Sequence, residues 1–286
     1  MKYFYDCEFL EGKQDKTIFG IKYGETKPTI DLISIGIICE DGREYYTISK
    51  DFNLKEAWNR WQQRTGEGDR NNHDPRVYWI RDNVLHPIYV ELVNKYLQDI
   101  RNMDRLNVSH KVKDVWTFTR KNLAWLIERY GRTNKEIANE ICGFIYTDDC
   151  EGSGMSAIEM ATRYDMSDKN LKPKFYGYFA DYDWVCFCWL FGNMMSLPKG
   201  FPMFANDLKQ MLDETAEKME LKDFNDLRFI PYESELAFKE EDIDTLDKKL
   251  AILKSDNNYP KQQNEHNALA DAIWNKELHQ FIERIS

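Results

Sequence analysis

The chain has 286 residues, 42% of them hydrophobic, and a formal net charge of −10. It can bury a sizeable core in one elaborated domain or two ordinary ones, and its acidity excludes a protein that works by coating nucleic acid or anionic membrane with a basic surface. A nucleic-acid enzyme is not excluded, because carboxylates gathered around divalent metals are acidic by design. No apolar run reaches the roughly 20 residues of a membrane span, and a strand-like segment beginning at Lys2 leaves no room for a signal peptide. The expectation is a soluble, cytoplasmic protein with no membrane partner. Six cysteines (Cys7, Cys39, Cys142, Cys150, Cys186, Cys188) sit mostly in apolar segments without a C-x-x-C pair, and read as reduced, buried thiols.

Three strand-like segments open the chain: "KYFYDCEFL" (2–10), "TIDLISIGIICE" (29–40) and "REYYTISKDF" (43–52), rich in β-branched and aromatic residues. Asp41-Gly42 between the last two marks a hairpin turn, so these segments begin an antiparallel meander. Helical patterns follow at 86–100, 116–131 and 133–145, the last opened by Thr133 and Glu136 at capping-box spacing. A further strand, "KFYGYFAD" (174–181), runs into a helix over 182–192 closed by Gly192. A polar helix begins near Asn206, and a long amphipathic one covers 267–285. Strands, helices, another strand and more helices, without a Pro/Gly/Ser linker, predict one α/β domain over 1–286. Its polar segments near 58–76 and 146–173 read as loops or insertions, with no internal repeat or low-complexity run.

Asp6 and Glu8 lie within the first strand. Residues i and i+2 share one strand face, so the two carboxylates point together while Cys7 points away. Their flanks are Tyr3, Phe4, Tyr5, Phe9 and Leu10, where charge is costly to bury without a partner, and a divalent metal is the economical one. The same Asp-Cys-Glu tripeptide recurs at 149–151 beside Gly152, Ser153 and Gly154, a loop composition in which solvated carboxylates cost nothing. Only the first copy is expected to carry chemistry. In "GYFADYDWVCFCWLFG" (177–192) a strand delivers Asp181 and Asp183 to the start of a helix, where either could cap it or serve a site at the strand's C-terminal end. In "NEHNALADAIWN" (264–275) His266 precedes Asp271 by five residues, a spacing none of the other four histidines has. On a regular helix that pair lies about 140° apart, so convergence requires His266 in the lead-in and Asp271 in the second turn.

D-x-E on a first strand, an aromatic-Asp pair at a strand-to-helix junction and H-x4-D on the last helix resemble, in that order, the DEDDh group of 3′-5′ exonucleases. The matching residues are Asp6 and Glu8, Tyr182-Asp183, and His266 with Asp271; Asp183 is preferred over Asp181 because the family usually has an aromatic residue before that aspartate. The stretches "YFYDCEFLEG", "TIDLISIGIICEDGREYYTIS", "WIRDNVLHP", "DYDWVCFCWLFG" with "LPKGFPMF", and "HNALADA" are similar to the RNase AS type of bacterial exoribonuclease. Segments around 58–76, 100–130 and 146–173 look longer than that family requires. The resemblance implies an RNase H-like fold, a mixed five-stranded sheet with helices on it. It also implies an enzyme releasing nucleoside 5′-monophosphates from RNA 3′ ends, often as a homodimer. Asp6, Glu8, Asp183 and Asp271 would hold two ions, Mg²⁺ or Mn²⁺ rather than zinc since no thiolate belongs to the set. His266 would be the general base, a role for which histidine is suited near neutrality, and Phe9 and Leu10 would pack against the terminal base. A DNA exonuclease of the same superfamily would use identical catalytic residues, and an inactive binding homologue is the remaining alternative.

Overall fold

The computed structural model describes residues 1–19, 21–63, 76–106, 111–146, 172–219 and 246–286. The chain adopts the expected α/β class around a mixed five-stranded sheet. Strand β1 (Lys2–Gly12) pairs antiparallel with β4 (Thr29–Cys39), which pairs antiparallel with β5 (Glu44–Ile48). The turn between β4 and β5 relies on Gly42 at φ +94 and on Asp41 Oδ1 accepting the Arg43 N–H at 3.0 Å. On the other side β1 pairs parallel with β8 (Lys174–Gly177), and β8 with the two-residue β9 (Asn206–Asp207). The sheet order is thus β5-β4-β1-β8-β9, with β1 at its centre.

Two hairpins went unanticipated, β2 (Asp15–Ile18) with β3 (Ile21–Glu25) and β6 (Gln62–Gln63) with β7 (Arg76–Val77). Their strands are short and largely exposed, so they carry little of the apolar alternation that marks a half-buried strand. The helices are α1 (Leu54–Asn59), α2 (His86–Arg105), α3 (Arg120–Tyr130), α4 (Asn134–Ile145), α5 (Asp181–Leu190), α6 (Leu208–Lys218), α7 (Leu246–Ser255) and α8 (Ala268–Ile285). A π-helical turn, Arg81–Leu85, leads into α2. The capping box of α4 is formed: Thr133 Oγ1 accepts from the Glu136 N–H at 3.2 Å, and Glu136 Oε2 from the Thr133 N–H at 2.7 Å. The second Asp-Cys-Glu, with Cys150, lies outside the described residues, as do 64–75, 107–110 and 147–171 of the segments read as insertions. The five cysteines that are described are buried.

Alternation along β1 divides the core. Tyr3, Tyr5 and Cys7 face α4 and α5, meeting Ile137, Ile141 and Phe187. Phe4 faces the opposite side with Ile38 and Tyr176, under Leu208, Leu250, Leu278 and Phe281 of α6, α7 and α8. Farther along that side, Leu10 and Ile33 pack beneath Leu85, Leu92, Leu123 and Leu126 of the α2 and α3 region. Between these two apolar blocks on one sheet face lie Asp6 and Glu8.

The close approach of α8 depends on Gly36, the cross-strand partner of Asp6. A Cβ there would lie 2.3 Å from both Ala268 O and Leu269 N, a collision with helix backbone that no rotamer change relieves. Gly36→Ala is therefore expected to destabilise the protein by roughly 3 kcal/mol, because α8 must shift bodily. Chemical denaturation measures this, and an unchanged midpoint would show that the helix does not need the gap.

Candidate active site

Asp6 and Glu8 project from β1 on one face. They meet Asp271, in the first turn of α8, so that one oxygen from each of the three lies within 4.8 Å of the others. Asp183 enters the same cleft from the first turn of α5. The parallel pairing of β8 explains how it gets there. That ladder covers only Lys2, Tyr3 and Phe4, so from Tyr5 onward the edge of β1 is left to side chains. Asp183 Oδ1 accepts the Cys7 N–H at 3.1 Å, and Asn275 Nδ2 donates to the Tyr5 carbonyl at 3.0 Å. Phe179, at φ +53, turns the chain sharply from β8 into α5. The turn directs Asp183 inward, 6% exposed, while Asp181 and Tyr182 face solvent.

His266 stands just before the Asn267 cap of α8, in left-handed backbone at φ +67, following Asn264 at φ +52. This lead-in folds back on the first helical turn. The His266 N–H donates to Asp271 Oδ2 at 2.9 Å, and Gln262 Nε2 to Oδ1 at 2.6 Å. The imidazole is half-exposed at the cleft, with Nδ1 4.0 Å from Glu8 Oε1 and its ring 4.7 Å from that of Trp79 in an edge-to-face contact. The i, i+5 pair is thus brought together by positive-φ backbone, and Asp271 lies in the first turn rather than the second.

The cleft encloses about 580 Å³ and is rimmed by Phe9, Trp61, Trp79 and Phe179. Leu10 is not part of it: fully buried with Ile33 and Leu85, it cannot meet a ligand as expected beside Phe9. The register of β1 against β4 shifts between Glu8 and Phe9, with Ile33 as the extra residue on β4, and Leu10 packs with Ile33 in the apolar block beyond the cleft. Phe9 does line the cleft, 5.9 Å from the Tyr182 ring. Gln262, Trp79 and Asn275 were not anticipated as site residues. Trp79 lies in the "WIRDNVLHP" stretch but nothing local gave it a task, and no spacing marks the other two.

Burial raises all four carboxyl groups, and repulsion within the site adds to it at Asp6, Glu8 and Asp183. Burial first, then the charges of Asp183, Glu8 and Asp271, hold Asp6 well above the usual range. Burial, then Asp271 and Asp183, push Glu8 up to about 8. Asp183 rises to about 7, mainly through burial, against the opposing Cys7 N–H. Asp271 is raised by burial despite the bonds from Gln262 and His266. Among the described residues the only lysine or arginine lining the cleft is Arg60. Its guanidinium is already committed to the Glu11 and Lys13 carbonyls and to Glu56. An all-oxygen donor set with no local counter-charge suits a hard divalent cation. Cys7 Sγ is turned toward the Asp183 carbonyl at 3.9 Å and takes no part.

Residues 22–283 match the family model described as the 3′-5′ exoribonuclease Rv2179c-like domain. Two curated relatives from Mycobacterium tuberculosis are similar to this chain: the 3′-5′ exoribonuclease MT2234.1 of strain CDC 1551 / Oshkosh and the 3′-5′ exoribonuclease Rv2179c of strain ATCC 25618 / H37Rv. Each is 24% identical over 214 residues, covering 75% of this chain and 75% of its own length. The family match begins beyond β1, so Asp6 and Glu8 are placed in the site by geometry.

Carboxyl groups that titrate higher folded than unfolded favour the folded state at low pH, and that contribution is lost as pH rises through the folded values. Without divalent metal, the melting temperature is expected to fall by several degrees between about pH 5 and pH 8, the window set by Asp183 and Glu8. Excess Mn²⁺ should restore it by binding the folded state, and Asp6→Asn should melt higher than wild type in chelator at pH 8. Differential scanning calorimetry decides: a flat metal-free profile would mean that the carboxylates are not in conflict.

Proposed function

Because this chain belongs to the family of 3′-5′ exoribonuclease Rv2179c-like domains, which are hydrolases, we propose that it hydrolyses phosphodiester bonds at RNA 3′ ends and releases nucleoside 5′-monophosphates. The observation that carries the reading is the convergence of Asp6, Glu8 and Asp271 from two distant parts of the chain, with Asp183 in the same cleft and His266 beside it. The sheet order and the placement of these residues at its centre agree with an RNase H-like fold of the DEDDh group, and with the RNase AS type. The single domain would then span 1–286, its insertions and a homodimeric state being part of the same proposal.

Asp6, Glu8 and Asp271 would hold one Mg²⁺ or Mn²⁺, and Asp6 with Asp183 a second. When bound, such ions offset charge at the scissile phosphate and make water a better nucleophile near neutral pH. The chain's own residues do the rest. Gln262 and the His266 N–H fix both oxygens of Asp271, so its lone pairs keep a set direction. The His266 imidazole, open to the cleft and braced by Trp79, takes the proton of the attacking water and can pass it to solvent. Phe9 offers an apolar edge to the terminal base, since single-stranded RNA is commonly held by stacking on aromatic side chains.

The test is digestion of matched RNA and DNA strands, labelled at the 5′ end, with Mg²⁺ or Mn²⁺. The expected result is a metal-dependent ladder shortening from the RNA 3′ end, with Asp6→Asn reducing turnover by roughly 10³-fold or more. His266→Ala should lower the rate by about 10²–10⁴-fold with Mn²⁺ affinity nearly unchanged, and Asp149→Asn, in the second Asp-Cys-Glu, should have no effect. Shortening of DNA alone would overturn the substrate; full activity in Asp6→Asn would overturn the site.

A further inference from the structure

Asn275 lies one helical turn beyond Asp271 on α8, at i+4, and therefore on the same helix face. It is 1% exposed and lines the cleft that holds Asp6, Asp183 and Asp271. Its amide has a settled orientation, because Nδ2 donates to the Tyr5 carbonyl at 3.0 Å, in the stretch of β1 that β8 no longer covers. That leaves Oδ1 as the other end of the amide, buried and without a hydrogen-bond donor. A buried acceptor left unpaired costs about 1–3 kcal/mol, a cost that a leucine or alanine at this position would avoid.

None of the carboxylates of the site, nor the groups that hold them, satisfies it. Asp6, Asp183 and Asp271 are acceptors when ionised. The Cys7 N–H is taken by Asp183, and the His266 N–H and Gln262 amide by Asp271. Hard cations such as Mg²⁺ and Mn²⁺ keep several waters when held by a few carboxylates, and those waters are strong donors.

We infer that Asn275 is a positioning residue for the divalent cation, its Oδ1 accepting a hydrogen bond from the water shell of the ion held at Asp6 and Asp183 while its Nδ2 ties α8 to β1. The inference rests on the metal-site reading above and adds to it a neutral residue that fixes the ion's waters without adding charge to an already crowded set of carboxylates. A fifth carboxylate in the same place would deepen the repulsion in the metal-free protein; an amide oxygen does not.

The experiment is calorimetric titration of Mn²⁺ alone into the full chain without nucleic acid, for wild type, Asn275→Ala and Asn275→Asp, with metal-free melting measured in parallel. Asn275→Ala is expected to weaken Mn²⁺ binding about tenfold or more while melting near wild type, since it removes one hydrogen bond and one unpaired acceptor together. Asn275→Asp loses the same tie to Tyr5 but keeps an acceptor oxygen, so it should bind Mn²⁺ at least as tightly as wild type and melt lower in chelator at pH 8. Equal affinity in Asn275→Ala and wild type would overturn the inference and leave Asn275 as a strut for Tyr5. If Asn275→Ala does not fold, Asn275→Asp decides alone: retained affinity supports the role, and lost affinity overturns it. Absence of Mn²⁺ binding by wild type would instead overturn the metal site itself.

Discussion

Mutual repulsion among four carboxylates held in one partly buried cleft is the constraint on which this structure turns. A solvated acidic cluster would relax by moving apart. Here Asp6 and Glu8 are fixed by the ladder between β1 and β4, Asp183 by the Cys7 N–H, and Asp271 by Gln262 and the His266 N–H. The apolar blocks on either side, Phe4 with Leu278 and Leu10 with Leu85, hold the elements in place regardless of the charge between them. Burial of those large side chains, each worth about 1.5–3 kcal/mol, offsets the electrostatic penalty of keeping the cleft assembled.

The same geometry explains why the site sits where it does. Parallel pairing of β8 with β1 stops at Phe4, and the turn through Phe179 carries the chain away into α5. The exposed edge of β1 then offers one carbonyl and one N–H to side chains instead of to a strand, and those two partners are Asn275 and Asp183. On the opposite side Gly36 removes the one Cβ that would keep α8 from the sheet. A gap in a ladder and a missing side chain, neither of them chemical groups of the site, bring its members together.

Much of this was legible in the sequence because it is local. Strand alternation puts Asp6 and Glu8 on one face whatever the fold, and the apolar flanks mark the first Asp-Cys-Glu as the costly one. The meander, the capping box of α4 and the final helix all follow from short-range spacing. What was not legible depends on tertiary arrangement or on small irregularities. Leu10 is taken up by the apolar block of Ile33 and Leu85, while Phe9 lines the cleft. Left-handed backbone at Asn264 and His266 drew an i, i+5 pair together without the extra turn that regular helix geometry called for. Gln262 and Trp79 have meaning only once that lead-in has folded back, and the short exposed hairpins carry too little apolar pattern to be seen.

The surroundings of the cleft bear on how an acidic chain can act on a polyanion. The net charge of −10 offers no general attraction for phosphates, and among the described residues the one cleft arginine, Arg60, spends its donors on the backbone carbonyls of Glu11 and Lys13 and on Glu56. Association driven by counterion release needs clustered lysine and arginine. The rim instead presents Phe9, Trp61, Trp79 and Phe179, rings on which unstacked bases can lie at about 1–3 kcal/mol each. On the proposed reading, the cations convert the carboxylate cluster from a site that repels the terminal phosphate into one that holds it, and stacking supplies the remaining affinity. A single strand can splay its bases onto such a rim, whereas a paired strand keeps them stacked within the duplex. On that reading, selection for an unpaired end would follow from these aromatic side chains.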